Sequence, residues 1–524
     1  MEVNSMSPQL DYITIRNYIG GRWVDDPGVK TIPLFNPSDG KQIGQVPLST
    51  EAASRQAIQS CHEAYMNWSR QPLARRVKFL FDIRRAMEDR REELAVSIAV
   101  DQAKHISEAR GEVQRVIEII ETACGIPTLI QGETLEAVGA NIVGRVVRQP
   151  LGVFCGVAPF NFPALVFGWF IPFAIGVGNT FLFKPSPQSP YFMQKMCEIF
   201  TQVGLPPGVV NVVNGDHIPT AAWYDDPRVR GICMVGSSAT ARKIAEAAGR
   251  FGKRTMLMGG AKNYLVAMED LQWDVFVENC LNSCYGSAGQ RCLAGSIVAA
   301  VPEIYSELIE RIVAASKKMK VGSALDPNIH IGPVISAEAK ARIEGLIEVG
   351  VQKDKACLVL DGRGPRVPQE IKGGYYVGPT VFTDTTSGMT IVQTEIFGPV
   401  VCVMKVENLD HALRLIRAQD VGNGACIFTQ SLYYTEKFIA EADVGMVGVN
   451  VGVPAPHPYL PFGGIKQSLV GTDKAQGRDG IDFFTQNKIA TVRFAPPSAG
   501  RHEAADGRGV AGPKTSAVKS CTAQ

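Results

Sequence analysis

From residue 151 to about 268 the chain alternates short, wholly apolar runs with longer stretches in which apolar residues recur every three or four positions. A run apolar at every position fits a strand buried on both faces, and the longer spacing fits an amphipathic helix. The pattern predicts strands over 153–157, 180–183, 209–213 and 231–235, and helices over 164–175, 191–203 and 240–248. Strands alternating with helices of this length imply right-handed crossovers and a parallel sheet, so the fold class is α/β. A second set begins near 264 (strands 264–268 and 296–301, helices 274–286 and 303–319) and runs to about 448. Ahead of both, 12–48 reads as short strands and turns, 50–128 as charged helices, and 133–149 as a hairpin. Residues 496–524 are rich in Gly, Ala and Ser without periodic apolar positions, which predicts a disordered tail.

Composition narrows this modestly. The 524 residues suffice for two or three domains, and the net charge of +2 provides no electrostatic footprint for nucleic acid or an acidic membrane. Residues 149–183 carry no charge, but Pro150, Pro159, Pro163 and Pro172 break the run into strand- and helix-sized pieces, which excludes a membrane span. The first residues lack the basic and apolar regions of a secretory signal, so the expectation is a cytoplasmic protein whose 12 cysteines are reduced. None of the seven histidines has zinc-ligand spacing, and no metal is expected.

Candidate chemistry concentrates at Gly289-Gln290-Arg291-Cys292. A thiolate is a nucleophile, and the expectation is that the adjacent Arg291 charge lowers the Cys292 pKa. Asn161, in a proline-flanked loop after a strand, has an amide suited to an oxyanion. Gly236-Ser237-Ser238 follows a strand and opens a helix; it reads equally as a phosphate-binding helix start and as an ordinary capping serine. Lys184 ends a strand at the edge where α/β ligands bind, and suits a ribose or phosphate unless it is a solvated surface lysine. Glu395 with Phe397 pairs a carboxylate for a ribose with a ring for the nicotinamide side.

In this order and spacing the motifs resemble the aldehyde dehydrogenase superfamily over roughly 12–495. The resemblance implies a Rossmann-like cofactor domain (12–132 and 151–257), an α/β catalytic domain (258–448) and a small oligomerisation element (133–150 and 449–495) in a homodimer or homotetramer. It implies that Cys292 attacks an aldehyde while the Asn161 amide and the cysteine's own N–H hold the oxyanion. It further implies that Ala158, Phe160, Lys184, Gly236, Ser237, Glu395 and Phe397 bind NAD, and that the product of hydride transfer is a thioester.

Most of the superfamily carries Glu-Leu-Gly-Gly-Lys, whose glutamate activates water; here the run is Met258-Gly259-Gly260-Ala261-Lys262. Methionine abstracts no proton, which favours a thiol over water as acyl acceptor. With Ala261-Lys262-Asn263 and Gly-Gln-Arg-Cys, this resembles the methylmalonate-semialdehyde dehydrogenase branch, which passes its acyl group to coenzyme A. The branch implies that Arg291 and Arg115 bind the substrate's carboxylate; for Arg115 a helix-surface ion pair with Glu112 is the competing role. Decarboxylation would give acetyl- or propionyl-CoA from malonate or methylmalonate semialdehyde. Pro187 replaces the branch's ribose-binding glutamate, which admits NADP, and Ala241 replaces a helix glycine. The alternatives are a hydrolytic NAD(P)-dependent aldehyde dehydrogenase releasing a free acid and a catalytically silent binding protein with the same fold.

Overall fold

The computed structural model describes residues 12–25 and 28–494, so the tail expected over 496–524 lies outside the described residues. These divide into two compact units, one of 12–131 with 148–487 and a small one of 132–147 with 488–494.

The larger unit is built on two main sheets. In the first, the strands run Leu469–Gly471, Arg254–Met258, Val229–Val235, Val153–Val157, Thr180–Lys184, Val210–Val212, Asn17–Ile19, Arg22–Val24. The middle five are parallel, and the flanking strands are added antiparallel. Helices Pro163–Val177, Tyr191–Gln202 and Ser238–Gly249 follow three of the parallel strands, as the apolar spacing predicts. The charge-free run thus resolves into a strand, a buried helix with Pro172 inside it, and a second strand. No helix among the described residues is long and apolar enough to cross a membrane.

The second sheet has seven strands in the order Cys357–Leu360, Thr380–Thr383, Val400–Lys405, Gly295–Ala300, Asn263–Ala267, Gly424–Phe428, Met446–Val449. Only its Cys357–Leu360 edge is antiparallel. Segments 158–162, 184–186, 236–238 and 259–261 leave the carboxyl ends of the first sheet's strands, while 261–262 and 290–294 enter the amino ends of the second. That is where the site-bearing residues lie.

The small unit is built on the hairpin Glu133–Gly139 and Ile142–Pro150, with Thr485–Arg493 added to it. Leu469–Gly471, expected in the oligomerisation element, instead pairs antiparallel with Arg254–Met258 as an edge of the first sheet. The sequence pattern also misses Arg254–Met258 itself, a short strand opened by a charge and followed directly by glycines. Every cysteine among the described residues is a free thiol.

Candidate active site

The loop after strand Val153–Val157 is tied down from both sides. The Ala158 N–H donates to Lys184 O at 3.0 Å, extending the strand pairing by one residue. The Asn161 amide donates to Gln290 O at 2.9 Å, linking its loop to the segment before Cys292. Beneath it, Lys104 Nζ donates to Asn161 O at 2.8 Å and to Glu112 Oε2 at 2.5 Å, and lies 3.8 Å from the Phe162 ring centroid. Both members of this ion pair have side chains only 1% exposed. Glu112 Oε1 accepts the Ala164 and Leu165 N–H groups at 2.9 Å, capping helix Pro163–Val177 where its dipole is positive. Neither Lys104 nor Glu112 was expected at the site; in a stretch that also carries Asp101, Glu108, Arg110 and Arg115, nothing in the sequence marks these two as a buried pair.

The nucleophile follows an unusual turn. Ser287 and Ala288 have φ of 51° and 53°, in the left-handed region that favours glycine. Gly289 continues it at 72°, and a Cβ there would lie 2.1 Å from Gly398 O, so the turn packs directly on the Glu395–Pro399 segment. After the turn, Asn263 and Asn423 Nδ2 donate to Cys292 O at 2.9 and 3.0 Å. Asn423, absent from the expected site, fastens the nucleophile's backbone from the second sheet.

Half-buried Cys292 does not gain a depressed pKa from its neighbour. Burial pushes the thiol up to about 12 and the Glu395 carboxylate adds to this, while hydrogen bonds from the Cys292 and Leu293 amides and from Asn423 pull it back. The expectation that Arg291 activates the thiol is corrected, because the guanidinium turns to pair with Glu108. The thiol form therefore dominates at neutral pH, and the thiolate fraction grows about tenfold per pH unit up to the pKa. Alkylation of Cys292 by iodoacetamide, followed on its own peptide by mass spectrometry, is expected to keep accelerating from pH 7 to beyond pH 9. A plateau below pH 8 would contradict this environment.

Arg115 does not pair with Glu112, which Lys104 has taken; it pairs with Glu118 at 3.1 Å. Met258 ends its strand buried, its carbonyl accepting the Gly236 N–H at 3.0 Å. Ser237 is a capping serine, its oxygen accepting the Thr240 N–H at 3.2 Å. Ser238 Oγ accepts the Gly260 N–H at 2.9 Å and donates to Gln467 O at 2.8 Å. Lys184 is buried, donating to Pro185 O and Gly215 O, and burial lowers it to about 8; it is not a solvated surface lysine. Glu395 Oε1 accepts the Ala261 N–H at 3.0 Å, and burial holds its carboxyl above the usual range. Arg342, also outside the expected set, donates to Ile396 O at 2.7 Å and steadies this segment. Phe397 meets Phe160 edge to face, centroids 5.9 Å apart. A cavity of about 720 Å³ lies between Ser238 and Glu395, with Gly260, Lys262 and Asp420 also in its wall.

The structure thus holds a half-buried thiol two residues after the carbonyl that takes the Asn161 amide, and a cavity with the helix-opening Ser238 and Glu395, but neither Cys292 nor Asn161, in its wall. A sequence profile described as the aldehyde dehydrogenase family matches residues 23–490. Malonate-semialdehyde dehydrogenase 2 of Geobacillus kaustophilus (strain HTA426) is 40% identical over 481 residues, spanning 92% of this chain and 99% of the relative. The crystal structure of methylmalonate-semialdehyde dehydrogenase from Oceanimonas doudoroffii superposes with a TM-score of 0.90 at 38% identity, covering 93% of this chain and 99% of that one. An NAD-dependent aldehyde dehydrogenase from Sinorhizobium meliloti matches with a TM-score of 0.89 at 30% identity over 94% and 98%.

Proposed function

Because the chain belongs to the aldehyde dehydrogenase family, we propose that it oxidises malonate or methylmalonate semialdehyde through a Cys292 thioester and passes the acyl group to coenzyme A. The observation that carries this is Met258, a buried thioether where the hydrolytic pattern places its base. Relatives named malonate-semialdehyde dehydrogenase, 40% identical over 92% of the chain, support the substrate class.

The residues present fit a nicotinamide dinucleotide. Helix Ser238–Gly249 opens with first-turn amides suited to phosphate, and buried Glu395 shares the 720 Å³ cavity with Ser238. Held by Ser238 and Glu395, a nicotinamide would supply the hydride acceptor. The Cys292 thiolate adds to the aldehyde carbon after its proton passes to solvent, and the oxyanion takes the Cys292 N–H and the Asn161 amide hydrogen that Gln290 O does not use. Loss of hydride leaves the Cys292 thioester. The coenzyme A thiol loses its proton to solvent and adds to that carbonyl, and Cys292 departs as thiolate. Cleavage of the bond to the substrate's carboxylate releases CO2, and the carbon takes up a proton. Arg291 and Arg115 serve as the carboxylate's ligands. Pro187 provides neither a carboxylate for the adenosine ribose nor repulsion of a 2′-phosphate, so NADP belongs in the assay beside NAD. Association into a homo-oligomer through the small unit's sheet is supported by exposed Leu135, Val138, Val147 and Ile489 on it.

The test is NADH absorbance with malonate semialdehyde, with and without coenzyme A. The expected result is turnover that depends on coenzyme A and yields acetyl-CoA; coenzyme A-independent release of free acid would establish the hydrolytic alternative. In Met258→Glu, turnover without coenzyme A is expected to rise by about tenfold or more, since a positioned general base contributes 10²–10⁴-fold. No rise would show that the missing base is not what limits hydrolysis.

A further inference from the structure

Positions 108, 112 and 115 lie on one face of helix Ile106–Cys124, four and three residues apart. Glu112 belongs to Lys104 and Arg115 to Glu118, while Glu108 reaches the nucleophile's loop. Glu108 Oε1 and Oε2 each accept the Ser287 N–H at 3.0 Å, and Oε1 also pairs with Arg291 Nη2. One carboxylate thus grips the loop on both sides of the left-handed turn at Ser287 and Ala288. The guanidinium lies folded over Gly286, where a Cβ would come 2.6 Å from Arg291 Cζ, with Nη1 3.4 Å from Asn282 O and Oδ1. The Arg291 and Glu108 side chains are 15% and 19% exposed, so the pair is largely shielded from water but open at one edge.

We propose that Glu108 limits the preference for acidic aldehydes by acting as an internal competitor for Arg291. This rests on the assignment of Arg291 as a ligand of the substrate's carboxylate. Without substrate, Glu108 Oε1 occupies the Nη2 end of the guanidinium, while Nη1 is turned to Asn282. An acidic aldehyde binds by exchanging its own carboxylate for that of Glu108, whereas a neutral aldehyde has nothing to exchange. Apparent affinity for the acidic substrate is therefore reduced by the fraction of Arg291 held by Glu108. When Arg291 leaves, Glu108 still accepts the Ser287 N–H, so the turn before Cys292 keeps its anchor. Glu108 is a positioning and specificity residue, not a catalytic one.

The test compares Glu108→Gln, Glu108→Asp and Arg291→Gln on malonate semialdehyde and propanal. Glutamine keeps an acceptor for Ser287 but forms no ion pair. KM for malonate semialdehyde is expected to fall about tenfold in Glu108→Gln, with kcat altered less than KM and the propanal KM unmoved. Aspartate, one methylene shorter, is expected to give a smaller fall in the same direction, and it decides the matter if the glutamine variant does not fold. An acidic-substrate KM that rises, stays put or moves in step with that of propanal overturns the proposal, provided Arg291→Gln still abolishes the acid-over-neutral preference. If Arg291→Gln leaves that preference intact, the assignment of Arg291 fails, and the competitor role fails with it.

Discussion

Replacing Cys292 by alanine is expected to lower kcat/KM by on the order of 10⁴-fold or more, with the fold intact. Removal of a covalent nucleophile eliminates the intermediate itself, and the residual rate then comes from binding and oxyanion stabilisation alone. Asn161→Ala removes one of two oxyanion donors and leaves the Cys292 N–H, so its expected loss is smaller, about 10²–10³-fold in kcat. The alanine at 292 removes one half-buried sulfur and none of the bonds that hold the loop, since Asn263 and Asn423 grip the backbone carbonyl of residue 292. The decisive measurements are NADH formation and mass spectrometry of the protein after mixing with aldehyde and cofactor. Wild type is expected to gain an acyl adduct on the Cys292 peptide and the variant none. Turnover surviving within tenfold would remove Cys292 as the nucleophile.

The second large effect is on stability. Lys104→Met is expected to destabilise the protein by about 3–5 kcal/mol, because it strands a buried carboxylate that has lost its partner. Lys104 and Glu112 have side chains 1% exposed, and burial already lowers the Lys104 pKa despite Glu112. Glu112 keeps its two helix-capping bonds in the variant, so the damage comes from the unpaired charge and the lost bond to Asn161 O. Lys104→Met combined with Glu112→Gln neutralises both partners and leaves an acceptor for the helix amides. It is expected to recover a large part of the loss, as contacting sites are non-additive. Denaturant unfolding of the two variants is the check. Equal destabilisation of both would mean that the lost bond to Asn161 O, not the stranded charge, is the critical interaction.

Much of the architecture was legible because it follows from short-range pattern. Val153–Val157, apolar at every position, reads as a strand buried on both faces, and the structure places it in the centre of the first sheet. Helix Tyr191–Gln202 shows apolar positions at helical spacing and buries them. Arg254–Met258 was not legible, since a five-residue run opened by an arginine satisfies no period; pairing with Val229–Val235 makes it a strand. At the site, Cys292, Asn161 and Glu395 stood out as motif residues, but their surroundings did not.

What the sequence alone determined is the order of strands and helices from 153 to 249, the membership of the nucleophile loop, and the absence of a base at Met258. Each depends on residue type at a given position or on spacing within one element. Only the tertiary structure decided where the charges point. Arg291 turns to Glu108, 183 residues away, rather than to the thiol beside it in sequence. Lys104 takes Glu112 and so leaves Arg115 to Glu118, and burial rather than a neighbouring cation governs Cys292. The reason is physical: periodicity reports which face of an element is buried, whereas ion pairs and desolvation depend on which distant elements meet there.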